Sequence, residues 1–312
     1  MRAAFMFVLA GCFSPRAPSH VPCDLALDNC PSGQHCVMEA DGAFCDGTPD
    51  NVPEGAPDGA ADDGSDLDGD GVANTTDNCS DVANPGQYNE DGDRFGDACD
   101  PCPPFADGDP IDDPDADHVS GACDPRPLIA GDSLFMFDGF SGDALDLAWN
   151  VVGPWIVASG AATVNVIGGP PATITHPGPL AATETLFASA LLAETPAPNP
   201  SSSIGVLTRK ATNSDAAAEC AVGQDELDGY VATVDPSVGI RMDKNFDFLP
   251  GGLYALSFHR TNDDYECFAS SLDDEQSVED SPFVLTPADP RMGVRVTGAS
   301  AAYQWVLVVA SP

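Results

Sequence analysis

The residues in this chain best placed to do chemistry are carboxylates set at fixed intervals. Asp66, Asp68, Asp70, Asn74 and Asp77 occupy positions 1, 3, 5, 9 and 12 of a twelve-residue loop, with Gly71 at 6 and Val72 at 7. Beginning 23 residues later, Asn89, Asp91, Asp93, Asp97 and Asp100 take the same five positions, with Phe95 at 7. A third copy begins 24 residues further on, with Asp113, Asp115, Asp117 and Asp124 at 1, 3, 5 and 12 and Gly121 at 9. Calcium is a hard cation that takes about six to eight oxygens, and a tight loop can aim alternate side chains at one point. Glycine at position 6 permits the sharp turn, and the carbonyl at 7 adds a neutral oxygen. A solvated acidic linker has no reason to keep one registry three times.

The cysteines add a second pattern. EF-hand loops share the spacing but end in a glutamate between two amphipathic helices. Here position 12 is aspartate each time, and no helical pattern flanks a loop. Cys79 falls just beyond position 12 of the first loop, whereas Cys99 and Cys123 fall at position 11 of the second and third. Asn84-Pro85-Gly86-Gln87 joins the first two. This succession resembles the thrombospondin type 3 repeat, closely over 66–100 and loosely over 101–124. The resemblance implies a segment with little regular secondary structure, wrapped around calcium ions. It implies Asp66, Asp68, Asp70, Asp77, Asn89, Asp91, Asp93, Asp97 and Asp100 as ligands, and Cys79–Cys99 and Cys102–Cys123 as bridges. Asn74 in place of aspartate, Arg94 in place of the position-6 glycine, and Cys102 after Asp100-Pro101 depart from the family pattern. The third loop, without a side chain at position 9, is expected to bind most weakly. Clustered carboxylates with no apolar core make ligation and folding one event.

Composition frames this segment. The formal charge of −39 over 312 residues excludes nucleic acid as a partner, since its phosphates would be repelled. The charge is concentrated: 46–131 hold 23 acidic residues against Arg94 and Arg126, while 132–312 read as a mildly acidic globular domain.

The chain opens with Met1-Arg2, an apolar run Ala3–Leu9, and Leu9-Ala10-Gly11-Cys12. A basic start, a short apolar stretch and small residues describe an export signal over 1–11. The tetrapeptide resembles the bacterial lipobox, which implies cleavage before Cys12 and diacylglycerol on its sulfur. A lipid-anchored tether over 12–22 would then hold the protein to the bacterial outer membrane or cell surface. Of eleven cysteines, ten remain, an even number suited to an oxidising compartment. Cys23, Cys30, Cys36 and Cys45 crowd into 23–46, which reads as a disulfide-stapled knot whose connectivity the sequence leaves open. A Gly/Pro/Asp/Ala linker covers 47–65, and the acidic repeats at 66–126 then form a calcium-stiffened spacer.

From Asp132 the texture changes. Turn clusters separate runs at Leu134–Phe137, Ala161–Ile167, Thr185–Leu192, Ile204–Thr208, Gly229–Val234, Leu253–His259, Tyr265–Ser270, Met292–Val296 and Tyr303–Ala310, several alternating apolar with polar. Short strands at regular spacing predict an antiparallel β-sandwich over 132–312. The opening "FDGFSGDALDLAWNVVGPWIV" and the ending "GVRVTGASAAYQWVLVVA" resemble concanavalin-like and laminin G-like jelly rolls. Trp149 and Trp155 are expected in the core, and Cys220 and Cys267 are expected to bridge neighbouring strands. Glu226 and Asp228 suggest a glycosidase pair, but Gly229 breaks the strand and an exposed turn is the expectation. Cys99 and Cys102 have redox spacing without a helix start to activate a thiol. His259 is expected at the surface. No nucleotide, zinc-protease or serine-hydrolase motif occurs, so catalytic residues are not named. The sequence thus points to a calcium-binding surface lipoprotein, not an enzyme, presenting a lectin-like sandwich for adhesion to a glycan or surface protein. The alternatives are a polysaccharide-degrading enzyme or its accessory module, and a purely structural surface protein.

Overall fold

The computed structural model describes the backbone of 21–22, 35–39 and 42–46, together with residues 65–106, 112–179, 183–194, 201–210, 217–225, 228–235, 239–280 and 290–312. It falls into two compact units, 1–63 and 64–312. Cys12, Cys23, Cys30 and the export signal lie outside the described residues. In the first unit, β1 (Val21–Pro22), β2 (His35–Glu39) and β3 (Gly42–Asp46) form a small sheet in the order β1-β3-β2. The register of its hairpin sets Cys36 opposite Cys45.

The second unit is built from β4 (Ser133–Asp138), β5 (Asn150–Val152), β6 (Ile156–Val157), β7 (Ala162–Asn165), β8 (Ala172–Pro177), β9 (Thr183–Glu194), β10 (Ser202–Lys210) and β11 (Ala218–Gln224). It continues through β12 (Gly229–Asp235), β13 (Gly239–Asn245), β14 (Leu253–Thr261), β15 (Asp264–Ser270), β16 (Glu275–Asp280), β17 (Arg291–Thr297) and β18 (Ser300–Ser311). They form two antiparallel sheets, one ordered β13-β12-β11-β10-β17-β8-β5 and the other β16-β15-β14-β9-β18-β7-β6, with β4 added alongside β18. The architecture is therefore a jelly-roll β-sandwich. Among the described residues no helix is long and apolar enough to cross a membrane.

Alternation along each strand sorts side chains to two faces. Ile204 and Val206 of β10, Cys220 and Val222 of β11 and Val294 and Val296 of β17 meet Leu186, Tyr254, Leu256, Phe258 and Tyr303 across the sandwich. Trp149 and Trp155 join this core. The Trp149 indole donates from Nε1 to Asp138 Oδ2 at 2.6 Å, which satisfies a buried donor. The Cys220–Cys267 disulfide lies in the same layer and joins β11 to β15. It therefore pins the two sheets together, where a bridge between neighbouring strands was expected. A face-to-face link closes a larger loop than a rung within one hairpin, and so restricts the unfolded chain more.

The outer face of the eight-stranded sheet is also apolar. Trp305, Leu307 and Val309 of β18 point away from the central core and pack with Leu134, Phe137 and Phe187. What covers them is the acidic segment: Cys102, Val119 and Cys123 complete this second cluster, and Phe105 meets Trp305 edge-on, ring centroids 5.5 Å apart. The expected spacer is instead a lid on the sandwich, within the same compact unit. The segment's buried apolar side chains Cys102, Val119 and Cys123 are spent on that contact, not on a core of its own.

Candidate metal centre

Local hydrogen bonds shape the three acidic loops, and they repeat in register. In each, the N–H at position 9 donates to the carbonyl just before position 1: Asn74 to Ser65 at 2.9 Å, Asp97 to Tyr88 at 3.0 Å and Gly121 to Asp112 at 3.1 Å. In each, Oδ1 of position 12 accepts an N–H two residues on, from Cys79 to Asp77, Cys102 to Asp100 and Arg126 to Asp124, at 2.7–2.8 Å. Position 5 does the same for the residue at 7: Val72 donates to Asp70, Phe95 to Asp93 and Val119 to Asp117. Such Asx turns bend the chain tightly without a helix.

Position 1 gathers the first half of each loop. Asp66 accepts N–H groups from Gly69 and Gly71, Asn89 from Gly92, and Asp113 from Ala116 and His118. The Gly71 N–H foremost holds the Asp66 carboxyl below its ordinary range. Position 4 is left-handed throughout, at φ 79° for Gly69, 75° for Gly92 and 63° for Ala116. The third loop also holds His118 at φ 72°, so two residues with a Cβ occupy a conformation that favours glycine.

Position 9 does something the spacing did not reveal. The Leu67 N–H donates to Asn74 Oδ1 at 2.9 Å, and the Glu90 N–H to Asp97 Oδ1 at 2.8 Å. Asn74 also donates from Nδ2 to Ser65 Oγ, so both its polar groups serve loop closure. Gly121 keeps the backbone half of that closure and lacks the side-chain half.

With the loops closed, their carboxylates converge. Carboxylate oxygens of Asp66, Asp68 and Asp70 lie within 4.8 Å of one another, as do those of Asp91, Asp93 and Asp100, and of Asp113, Asp115 and Asp117. Oδ2 of Asp68, Oδ2 of Asp77, both oxygens of Asp115 and Oδ2 of Asp124 are shut off from solvent without a hydrogen bond. An anionic oxygen buried with no partner is costly. Burial first, then the charges of Asp70, Asp77 and Asp66, pushes the Asp68 carboxyl up. Burial likewise raises Asp124, helped by Asp115 and Asp117. Asp77 and Asp124, remote in sequence from positions 1 to 5, are thus electrostatic neighbours of the first and third groups. An all-oxygen, strongly anionic donor set with vacant inward lone pairs fits a hard divalent cation.

The other residues singled out in the sequence lie elsewhere. Cys99 pairs with Cys79 and Cys102 with Cys123, so the redox-spaced cysteines are shared between two structural bridges. Asp225 and Asp228 close a turn through reciprocal bonds, Asp228 is exposed, and Glu226 lies outside the described residues. His259 is half-buried on the outer sheet face, its ring nitrogens 2.7 Å from Thr185 Oγ1 and 3.0 Å from Thr261 Oγ1. Burial pulls its pKa down.

One titratable group escaped sequence reasoning. Glu219 of β11 alternates with core residues Ala218 and Cys220, so it lies on the outward face of the seven-stranded sheet. It is nonetheless buried, stretched over Gly205, where an added Cβ would meet its Oε1 at 2.6 Å. Arg295 stands 3.9 Å away, yet burial outweighs that attraction and lifts the carboxyl to about 7. The available signal was a glutamate inside a run of small apolar residues, "AAECAVG". Its electrostatic partner is a guanidinium, not the second carboxylate a glycosidase uses.

No protein-family model matches the sequence, and no curated protein matches it. Among solved structures the chain is similar to a peanut lectin solved with a 9mer peptide, at 9% identity and a TM-score of 0.44, covering 58% of this chain and 98% of that one. It is similar to the CBM2 module of the evolved Dit of Lactobacillus casei BL23 phage J-1, at 10% identity and a TM-score of 0.46, covering 58% and 96%. It is also similar to the GH43 protein BlXynB of Bacillus licheniformis, at 12% identity and a TM-score of 0.43, covering 56% of this chain and 39% of that one.

Proposed function

We propose that this is a calcium-binding surface protein in which calcium folds three acidic loops onto a jelly-roll sandwich. The observation that carries the reading is the set of buried, unbonded oxygens on Asp68, Asp77, Asp115 and Asp124, at positions 3, 12, 3 and 12 of the repeat. A cation at each convergence point would supply the missing partner. Three loops closed by the same hydrogen bonds speak against accident. Extracellular modules bind calcium at about 10⁻⁴–10⁻³ M, so the role is constitutive stiffening at ambient calcium, not signalling.

On this reading the sandwich is the working part, held at the bacterial surface by lipid on Cys12 and serving adhesion to a glycan or surface protein. The Glu219–Arg295 pair offers no acid couple, which favours binding over hydrolysis. The test is to chelate the full chain and add calcium back while following tryptophan fluorescence. Trp305 sits under the acidic lid and should blue-shift as the lid re-forms. A spectrum indifferent to calcium, with no metal bound, would refute the proposal.

A further inference from the structure

The acidic lid covers only part of the outer sheet face, and where it ends a groove opens. Phe105 and Trp305 form one end, Leu253 and Ala255 of β14 with Ser189 of β9 line the floor, and Leu249 and Leu272 rise on the far side. Its volume is about 730 Å³, within the range of about 300–1,000 Å³ typical of ligand sites. Leu249 is 62% exposed, Leu253 51% and Leu272 96%, an apolar cluster that a folded protein does not ordinarily leave uncovered. The polar groups near it are largely engaged: Ser189 donates to Gln304 Oε1, and Ser271 donates to the Asp274 carbonyl. The charged groups on its rim, Asp247 and Asp273, are both acidic, and no basic residue lines it among the described residues.

Building on the binding role proposed above, we infer that this groove takes a cationic segment of a partner protein, seating an aliphatic or aromatic side chain between Phe105 and the leucines. A glycan would need several free hydrogen-bonding groups, whereas Ser189 and Ser271 are already engaged and the far wall is leucine. An apolar floor between two carboxylates matches a segment in which apolar and basic residues alternate. One wall belongs to the lid and the other to the sandwich, so the groove is complete only when the lid is docked.

The test uses the full chain in saturating calcium and a short peptide alternating lysine with leucine. Two controls accompany it: the same peptide with serine for leucine, and a panel of neutral oligosaccharides. Calorimetry should show the leucine peptide binding at least tenfold tighter than the serine peptide. L272S and D273N alter exposed side chains and should leave the fold intact; L272S should erase most of that preference, and D273N should weaken both peptides severalfold. Equal binding of both peptides, no effect of L272S, or displacement by an oligosaccharide would overturn the inference. Bound calcium is measured in the same samples. Normal calcium binding with no leucine preference sinks the groove alone, whereas absent calcium sinks the parent reading.

Discussion

Oδ2 of Asp117 accepts the backbone N–H of Asp132 at 2.7 Å, and that of Gly131 at 3.0 Å. Asp117 is position 5 of the third acidic loop, and Asp132 directly precedes β4. Asp132 is itself clamped by Arg126 and by Ser311 at the end of β18. At the other end of β4, Glu90 of the second loop accepts a hydrogen bond from Ser141 at 3.3 Å. The first strand of the sandwich is thus held at both ends by the loops, and their order and the sandwich's stability are coupled.

Asp115 should report that coupling with a change of sign. Both its oxygens are buried without partners, so D115N relieves repulsion when metal is absent and removes a ligand when it is present. Thermal unfolding in chelator should show D115N at or above the parent protein. In millimolar calcium it should fall below, by a loss of about 1.4 kcal/mol for a tenfold weaker site.

The third loop should improve with glycine. Ala116 and His118 hold left-handed backbone, which costs roughly 1–2 kcal/mol per residue with a Cβ, partly offset by the entropy glycine loses on folding. A116G combined with H118G should tighten the weakest calcium step severalfold, read by calorimetric titration, with the other two steps unchanged.

The two kinds of disulfide should separate. Removing Cys220–Cys267, which spans 47 residues and joins the sheets, should cost about 4 kcal/mol in denaturant unfolding and leave calcium binding intact. Removing Cys102–Cys123, which spans 21, should cost about 3 kcal/mol and also weaken calcium binding and expose Trp305 to a quencher.

Glu219 sets a pH dependence of its own. Its carboxyl rises from 4.5 to about 7 on folding because burial disfavours the charge. Folding therefore gains from the protonated form: the contribution is full below about pH 4.5 and is lost as pH rises through about 7. With calcium saturating, the parent should be less stable at pH 8.5 than at pH 5.5, by up to roughly 2 kcal/mol from this group. E219Q, uncharged throughout, should flatten that slope.

The repeat spacing and the strand texture made much of this legible in advance. Eight of the nine predicted runs lie within strands and the ninth, 161–167, overshoots β7 at both ends; branched and aromatic residues mark them, several at period two. Of the missed strands, β11 reads "AECAVGQ", small residues against a disulfide, β13 and β16 are edge strands rich in charge, β5 and β6 are too short to show a period, and β8 carries branched residues but is bracketed by Pro170, Pro171 and Pro177. Invisible for a different reason was the docking of the lid. The uninterrupted apolar run Trp305–Val309 is the mark of a strand covered on both faces, but nothing in it says that the acidic segment supplies the second cover. The role of Asn74 was hidden likewise, since an amide that closes a loop and one that binds metal occupy the same position.

The most direct test of the central claim is the number of calcium ions the full chain binds, counted by equilibrium dialysis with elemental analysis at millimolar free calcium. Asp68 and Asp77 of the first loop, the converging Asp91, Asp93 and Asp100 of the second, and Asp115 and Asp124 of the third predict at least one ion per acidic loop, three or more per chain, with D68N and D115N each lowering the count. A chain that retains no calcium, or a count indifferent to both substitutions, would contradict it.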